Sequence, residues 1–167
     1  NVLFVSIDDL NDWTGYLGGH PQALTPSLDR FASEGVYFSH AYCSNPACNP
    51  SRTALMTGLA PHTSGVYSNY HDWREVIPER KTIGEYFRDN GYYSAGAGKI
   101  FHYHMIDSAC WDDYWPSQAN NMPAEYMPER GESGTINMPV FENMYMMFDW
   151  DALDIPDSLM ADYKSVM

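Results

Sequence analysis

Basic residues are scarce in this chain. Nine Lys and Arg stand against 22 Asp and Glu, for a formal net charge of −13. A surface this acidic excludes a nucleic-acid binder, which needs Lys and Arg clustered on one face. It also sets a condition on any anionic substrate: the site must supply its own positive charge. Cysteine is scarce too. Cys43, Cys48 and Cys110 do not make a disulfide framework, and a Cys43–Cys110 bridge or free buried thiols both stay open. No apolar run is long enough to cross a membrane as a helix. No repeat and no linker divides the 167 residues, which are enough for one domain with a real core. Initiator methionine and signal peptide are both missing; the chain opens directly on a strand-like run and reads as a fragment cut at both ends.

Aromatic residues, by contrast, are abundant: 13 Tyr, 7 Phe and 5 Trp. They suit a surface facing sugar or aryl groups, and equally an aromatic core. The most informative stretch is Cys48-Asn49-Pro50-Ser51-Arg52-Thr53-Ala54-Leu55-Met56-Thr57-Gly58. Asn49 is suited to an N-cap, Pro50 to the first helical position and Gly58 to the stop. Cys48 then sits just outside a helix N-terminus, where free N–H groups and the dipole favour an anion. Arg52 lies one turn further in and adds a fixed cation with a fork of donors. Together these describe an oxyanion-binding nucleophile; taken singly, the cysteine reads as a packing residue.

Val2–Ile7 is a continuous, β-branched apolar run and reads as a strand buried on both faces of a parallel sheet. Asp8 and Asp9 follow at its C-terminal end, where open α/β sheets hold ligands. Two adjacent carboxylates repel unless a cation separates them, and an oxygen-loving divalent ion would do so. Thr25-Pro26 opens a helix, with Leu28, Phe31 and Ala32 as its apolar stripe and Gly35 as its stop. Val36–Phe38 starts a further short strand. Thr82-x-x-Glu85 is a capping box, and Tyr92–Ala97 a second core strand after that helix. Helix followed by strand, twice, argues for crossover units. Lys99 and His102, three apart at the end of that strand, can aim at one site from a tight turn. Tyr103–Asn143 reads as a long decorated loop, Met144–Trp150 as a short strand or an extended run, Leu153–Asp157 as a turn and Asp162 as a helix cap.

Three strings carry a family resemblance. C-x-P-S-R followed by L-x-T-G (Cys48 to Gly58) resembles the signature of the formylglycine-dependent sulfatases. Val5-x-x-Asp8-Asp9-Leu10 resembles the first strand of that family, and Thr25–Phe38 its next segment. Gly98-Lys99-x-x-His102 resembles its lysine and histidine, with the wider spacing of the iduronate-2-sulfatase-like branch. The resemblance implies an α/β fold of the alkaline-phosphatase/sulfatase type, a mostly parallel central sheet flanked by helices. The chain would be the N-terminal portion, residues 1–167, of a single catalytic domain truncated at both ends.

The resemblance also implies roles. Cys48 is oxidised by a formylglycine-generating enzyme, and the hydrated aldehyde is nucleophile and metal ligand. Asp8 and Asp9 hold a divalent ion, Ca²⁺. Arg52 steadies the hydrate, Lys99 neutralises a sulfate oxygen, and His102 hydrogen-bonds the hydrate or the ester. The hydrate solves a problem that a thiol does not, since one hydroxyl attacks sulfur and the other releases sulfate afterwards. The implied activity is hydrolysis of a sulfate monoester, of a sulfated carbohydrate by analogy with the branch, in an extracytoplasmic compartment (periplasmic, secreted or lysosomal). Later ligands of the family, an Asp-or-Asn/His pair and a further His and Lys, have no matching motif here. The isolated chain is therefore expected to bind metal weakly and turn over nothing. The rival readings are a phosphomonoester or phosphonate-ester hydrolase of the same superfamily, and a non-catalytic carbohydrate-binding relative with unmodified Cys48.

Overall fold

The computed structural model describes residues 1–8, 10–102, 105–117, 156–160 and 163–164. It divides into two units, one of Asn1–Thr82 with Ile100–Met105 and the other of Ile83–Lys99 with Ile106–Met167. Leu153–Ile155, Asp162 and the Met144–Trp150 run, like Asp9, fall outside the described residues.

The first unit is organised around helix α2 (Cys48–Thr57), which follows α1 (Pro26–Glu34). Asn49, Pro50, Arg52, Thr53, Ala54, Met56 and Thr57 of α2 are all buried, so the helix is covered almost all round. Its C-terminus is closed twice. Gly58 takes the left-handed conformation (φ 70°) and its N–H returns to Ala54 O, a position only glycine fills without strain. Arg80 then donates Nε and Nη2 to Thr57 O, at 2.9 and 2.7 Å. A cation at that end also suits the helix dipole.

Two short helices follow, α3 (Pro61–Ser64) and α4 (Trp73–Val76). Asp72 caps α4, accepting from the Arg74 N–H. Trp73 is 1% exposed and stacks on Phe101 with centroids 5.4 Å apart. Its indole N–H donates to Met105 O at 3.2 Å, so both the apolar body and the polar tip are satisfied. Trp73→Ala is expected to destabilise the protein by about 3–5 kcal/mol, and Trp73→Phe, which keeps the ring contact, by less than half of that. Urea midpoints of the two variants check this.

Three expectations for this unit are corrected. Val2–Ile7 forms no strand and is solvent-exposed, Leu3 at 88%. A parallel strand draws its stability from neighbours on both edges, and the described residues of this unit offer no strand to pair with. Val36–Phe38 is exposed irregular chain for the same reason. Helix α1 starts at Pro26 as expected, but none of its residues is buried and Phe31 is 75% exposed. Thr25 does not cap it: its hydroxyl accepts from Gly15 N–H and donates to Asp29 Oδ1, which also accepts from Tyr16 N–H. Thr25 and Asp29 therefore fasten the Gly15–Tyr16 loop to the start of α1.

The second unit holds the parallel sheet. Helix α5 (Ile83–Asp89) leads to β1 (Ala95–Gly98), which pairs in parallel with β2 (Asp113–Ser117). The register matches Ala95 with Asp113 and Gly96 with Tyr114, and is interrupted before Gly98. β1 begins later than the Tyr92–Ala97 expectation, and β2 lies in the stretch expected to be loop. Asp112 joins the pieces: it accepts from Ser94 N–H and from Arg88 Nε, while Arg88 Nη1 donates to Ala109 O. The glycines of α5 and β1 are close-packing positions. A Cβ on Gly84 would collide with Cys110 Sγ, and one on Gly96 would meet Trp111 and Tyr114 at 2.8 Å. The chain is thus α/β, with helices and a parallel sheet. Cys43 is exposed, Cys110 buried, and all three cysteines are free, so the Cys43–Cys110 bridge is not formed.

Candidate active site

Arg52 is the point where the sequence strings meet. Its Nη2 donates to Asp8 Oδ1 at 2.6 Å, and its Nη1 donates to Ile100 O at 3.3 Å. Asp8 ends the first string, Arg52 belongs to the second and Ile100 lies inside the Gly98–His102 string. One buried guanidinium, its side chain 11% exposed, therefore ties three distant segments of the first unit. Arginine suits this role, because its planar fork offers fixed donors to two acceptors at once.

Cys48 is the first residue of α2 and half-buried. Arg52 follows one helical turn later, on the same side of the helix. The expectation for Asn49 is corrected. The helix starts two residues earlier than the Asn49 cap implies, and Ala47 takes the cap position with no side-chain bond to give. Asn49 turns inward instead. Its Nδ2 donates to Ser68 O and His71 O at 2.9 and 2.8 Å, and its Oδ1 accepts from the Thr53 hydroxyl.

The donors at this helix end are also fewer than expected. Ala47 N–H goes to Asn45 Oδ1, Asn49 N–H to Asn69 Oδ1, and Ser51 N–H to Ala47 O. Pro50 has none. Among the described residues this leaves the N–H of Cys48 itself to face an anion. Asn69 performs the capping, delivered from a loop about twenty residues away. No spacing rule in the sequence signals such a partner.

His102 is buried in the first unit, and its carbonyl accepts from Met105 N–H at 3.0 Å. Lys99 belongs to the second unit. Asp9 lies outside the described residues.

Electrostatically, Arg52 and Asp8 nearly cancel. An anion brought to this point meets little net positive charge from that pair. The Asp8 side chain is 52% exposed, and a carboxylate offers about four lone-pair positions. It can therefore face a cation beside Arg52. Among the described residues no three His, Cys, Asp or Glu side chains gather, whereas Ca²⁺ takes six to eight oxygens.

A buried helix opening on a cysteine is thus joined through its arginine to Asp8 and to Ile100. Residues 1–145 match the family described as Sulfatase, and the chain belongs to that family. Along 99% of its length it is 32% identical to a sulfatase of Formosa agariphila, of which it covers 34%. It is 29% identical to human iduronate 2-sulfatase, again over 99% of the chain and 30% of that protein. The N-acetylgalactosamine-6-sulfatase of Canis lupus familiaris is 37% identical over 59% of the chain and 21% of its own length. The chain thus spans about a third of the first two relatives. Among the described residues no helix is long and apolar enough to cross a membrane.

Proposed function

We propose that the protein carrying this chain is a sulfuric ester hydrolase that cleaves a sulfate monoester of a carbohydrate, with formylglycine made from Cys48 as its nucleophile. The supporting observation is the convergence on Arg52 of Asp8, the Cys48 helix and the Ile100 segment. The sugar is inferred from the iduronate and N-acetylgalactosamine sulfates named for its relatives.

The hydrated aldehyde would supply a hydroxyl to displace the ester oxygen at sulfur and a second one whose loss of a proton would let sulfate leave. Arg52 orients the group at position 48 from one turn away while holding Asp8 in place. Lys99 offsets the charge on the sulfuryl oxygens. His102 holds a proton near the reacting oxygens, and its burial keeps water from competing for that bond. Asp8 and Asp9, with the oxygen at position 48, would hold a divalent ion, Ca²⁺, completed by ligands from outside the described residues. Maturation requires a formylglycine-generating enzyme as partner, in a compartment outside the cytoplasm.

Two measurements test this on the complete protein. The peptide containing position 48 is expected to carry the aldehyde mass. Sulfate release from 4-nitrophenyl sulfate is expected to exceed phosphate release from 4-nitrophenyl phosphate by about 100-fold in kcat/KM. A thiol mass with no turnover favours a non-catalytic binding protein, and the reverse rate order a phosphoester hydrolase.

A further inference from the structure

Asn49 is 1% exposed, and every polar group of its side chain is used. A buried amide in a helix is costly unless all its bonds are made, and here two of them reach across to one short turn. That turn runs Ser68-Asn69-Tyr70-His71. Asn49 Nδ2 grips its first and last carbonyls, and Asn69 Oδ1 returns the contact by accepting the Asn49 N–H at 2.9 Å. Inside the turn, Ser68 Oγ accepts from Tyr70 N–H and His71 Nδ1 accepts from Tyr67 N–H. An accepting Nδ1 leaves the proton of a neutral ring on Nε2. The backbone of the turn is therefore held at both ends and braced within. Among the described residues nothing covers the ring of Tyr70, which is 94% exposed.

A rigid turn that holds out an aromatic ring, beside the residue following the nucleophile, is a poor stability device. It suits recognition, because a sugar ring stacks on an aromatic face with little ordering cost when the backbone is already fixed. We propose that Asn49 is a positioning residue: it fastens the Ser68–His71 turn to the first turn of α2, so that Tyr70 contacts the sugar portion of the substrate beyond the sulfate. This rests on the sulfatase reading above and adds a specificity element to it.

The test compares wild type, Asn49→Ala, Tyr70→Ala and the double variant in the complete protein. The probes are 4-nitrophenyl sulfate and the faster-cleaved of N-acetylgalactosamine 6-sulfate and an iduronate-2-sulfate disaccharide. Formylglycine content at position 48 is measured by mass in each. Tyr70→Ala is expected to lower the saccharide-to-aryl ratio of kcat/KM by about five- to tenfold, mostly through KM. Asn49→Ala is expected to lower the ratio similarly, and the double variant no further, since both act through one contact. Should Asn49→Ala fail to fold, Tyr70→Ala decides alone, its side chain being exposed. An unchanged ratio in Tyr70→Ala, or additive losses in the double variant, overturns the proposal. Wild type that cleaves the aryl sulfate but neither saccharide overturns it too, leaving the sulfatase chemistry intact. Wild type that cleaves no sulfate overturns the sulfatase reading with it.

Discussion

Cys48→Ala in the complete protein is expected to lower kcat on 4-nitrophenyl sulfate by on the order of 10⁴-fold while leaving the fold in place. The two halves of that statement have separate grounds. The catalytic half follows from removing the side chain proposed to become the aldehyde. The structural half follows from position. Cys48 is the first residue of α2 and half-buried, and alanine is a good helix former there. The burial of α2 rests on Asn49, Pro50 and the residues that follow, not on the thiol. The urea midpoint is therefore expected to shift by less than about 1 kcal/mol equivalent. Turnover within tenfold of wild type would place the nucleophile elsewhere, and a collapsed midpoint would assign Cys48 a packing role.

Arg52→Ala comes next in size. It removes the guanidinium that joins Asp8 and Ile100 and opens a gap in a buried helix face. Removing one partner of a buried pair costs about 3–5 kcal/mol, but Asp8 is half exposed and water can replace the lost donor. A loss of about 2 kcal/mol in stability is the expected outcome, together with a 10²–10³-fold fall in kcat of the order seen on deleting a charge-stabilising donor. Arg52→Lys separates charge from shape. Its single ammonium carries the charge but cannot present parallel donors to a carboxylate and a carbonyl. Partial recovery of the urea midpoint with little recovery of kcat is expected. Full recovery of both would show that charge alone suffices and that tying three segments together is incidental.

How much of this is legible in the sequence depends on the range of the forces involved. Gly58 as the stop of α2, Pro26 at the start of α1 and α5 opening after Thr82 are local matters of dihedral angle and terminal donors, and they read correctly. The convergence of the Asp8, Cys48–Arg52 and Gly98–His102 strings rests on resemblance, and Arg52 joins residues from all three. What fails is non-local. An apolar run such as Val2–Ile7 says what its residues would gain from burial, not whether a neighbour is there to cover them. β2 escapes a sequence reading because Pro116 argues against a strand; among the described residues the sheet has two strands, and a proline is tolerated on a strand at the edge of a sheet. Asn49 has the residue type of a cap, whereas its bonds run to a turn whose approach no local rule announces.

At the far end of helix α2 Arg80 grips Thr57, while Asn69 grips the start, so one stretch of chain clasps this rod top and bottom. A rod clasped in two places cannot creep lengthwise or spin. The position of its tip is thus set partly at its tail, and a change at Arg80 is carried along the helix to Cys48.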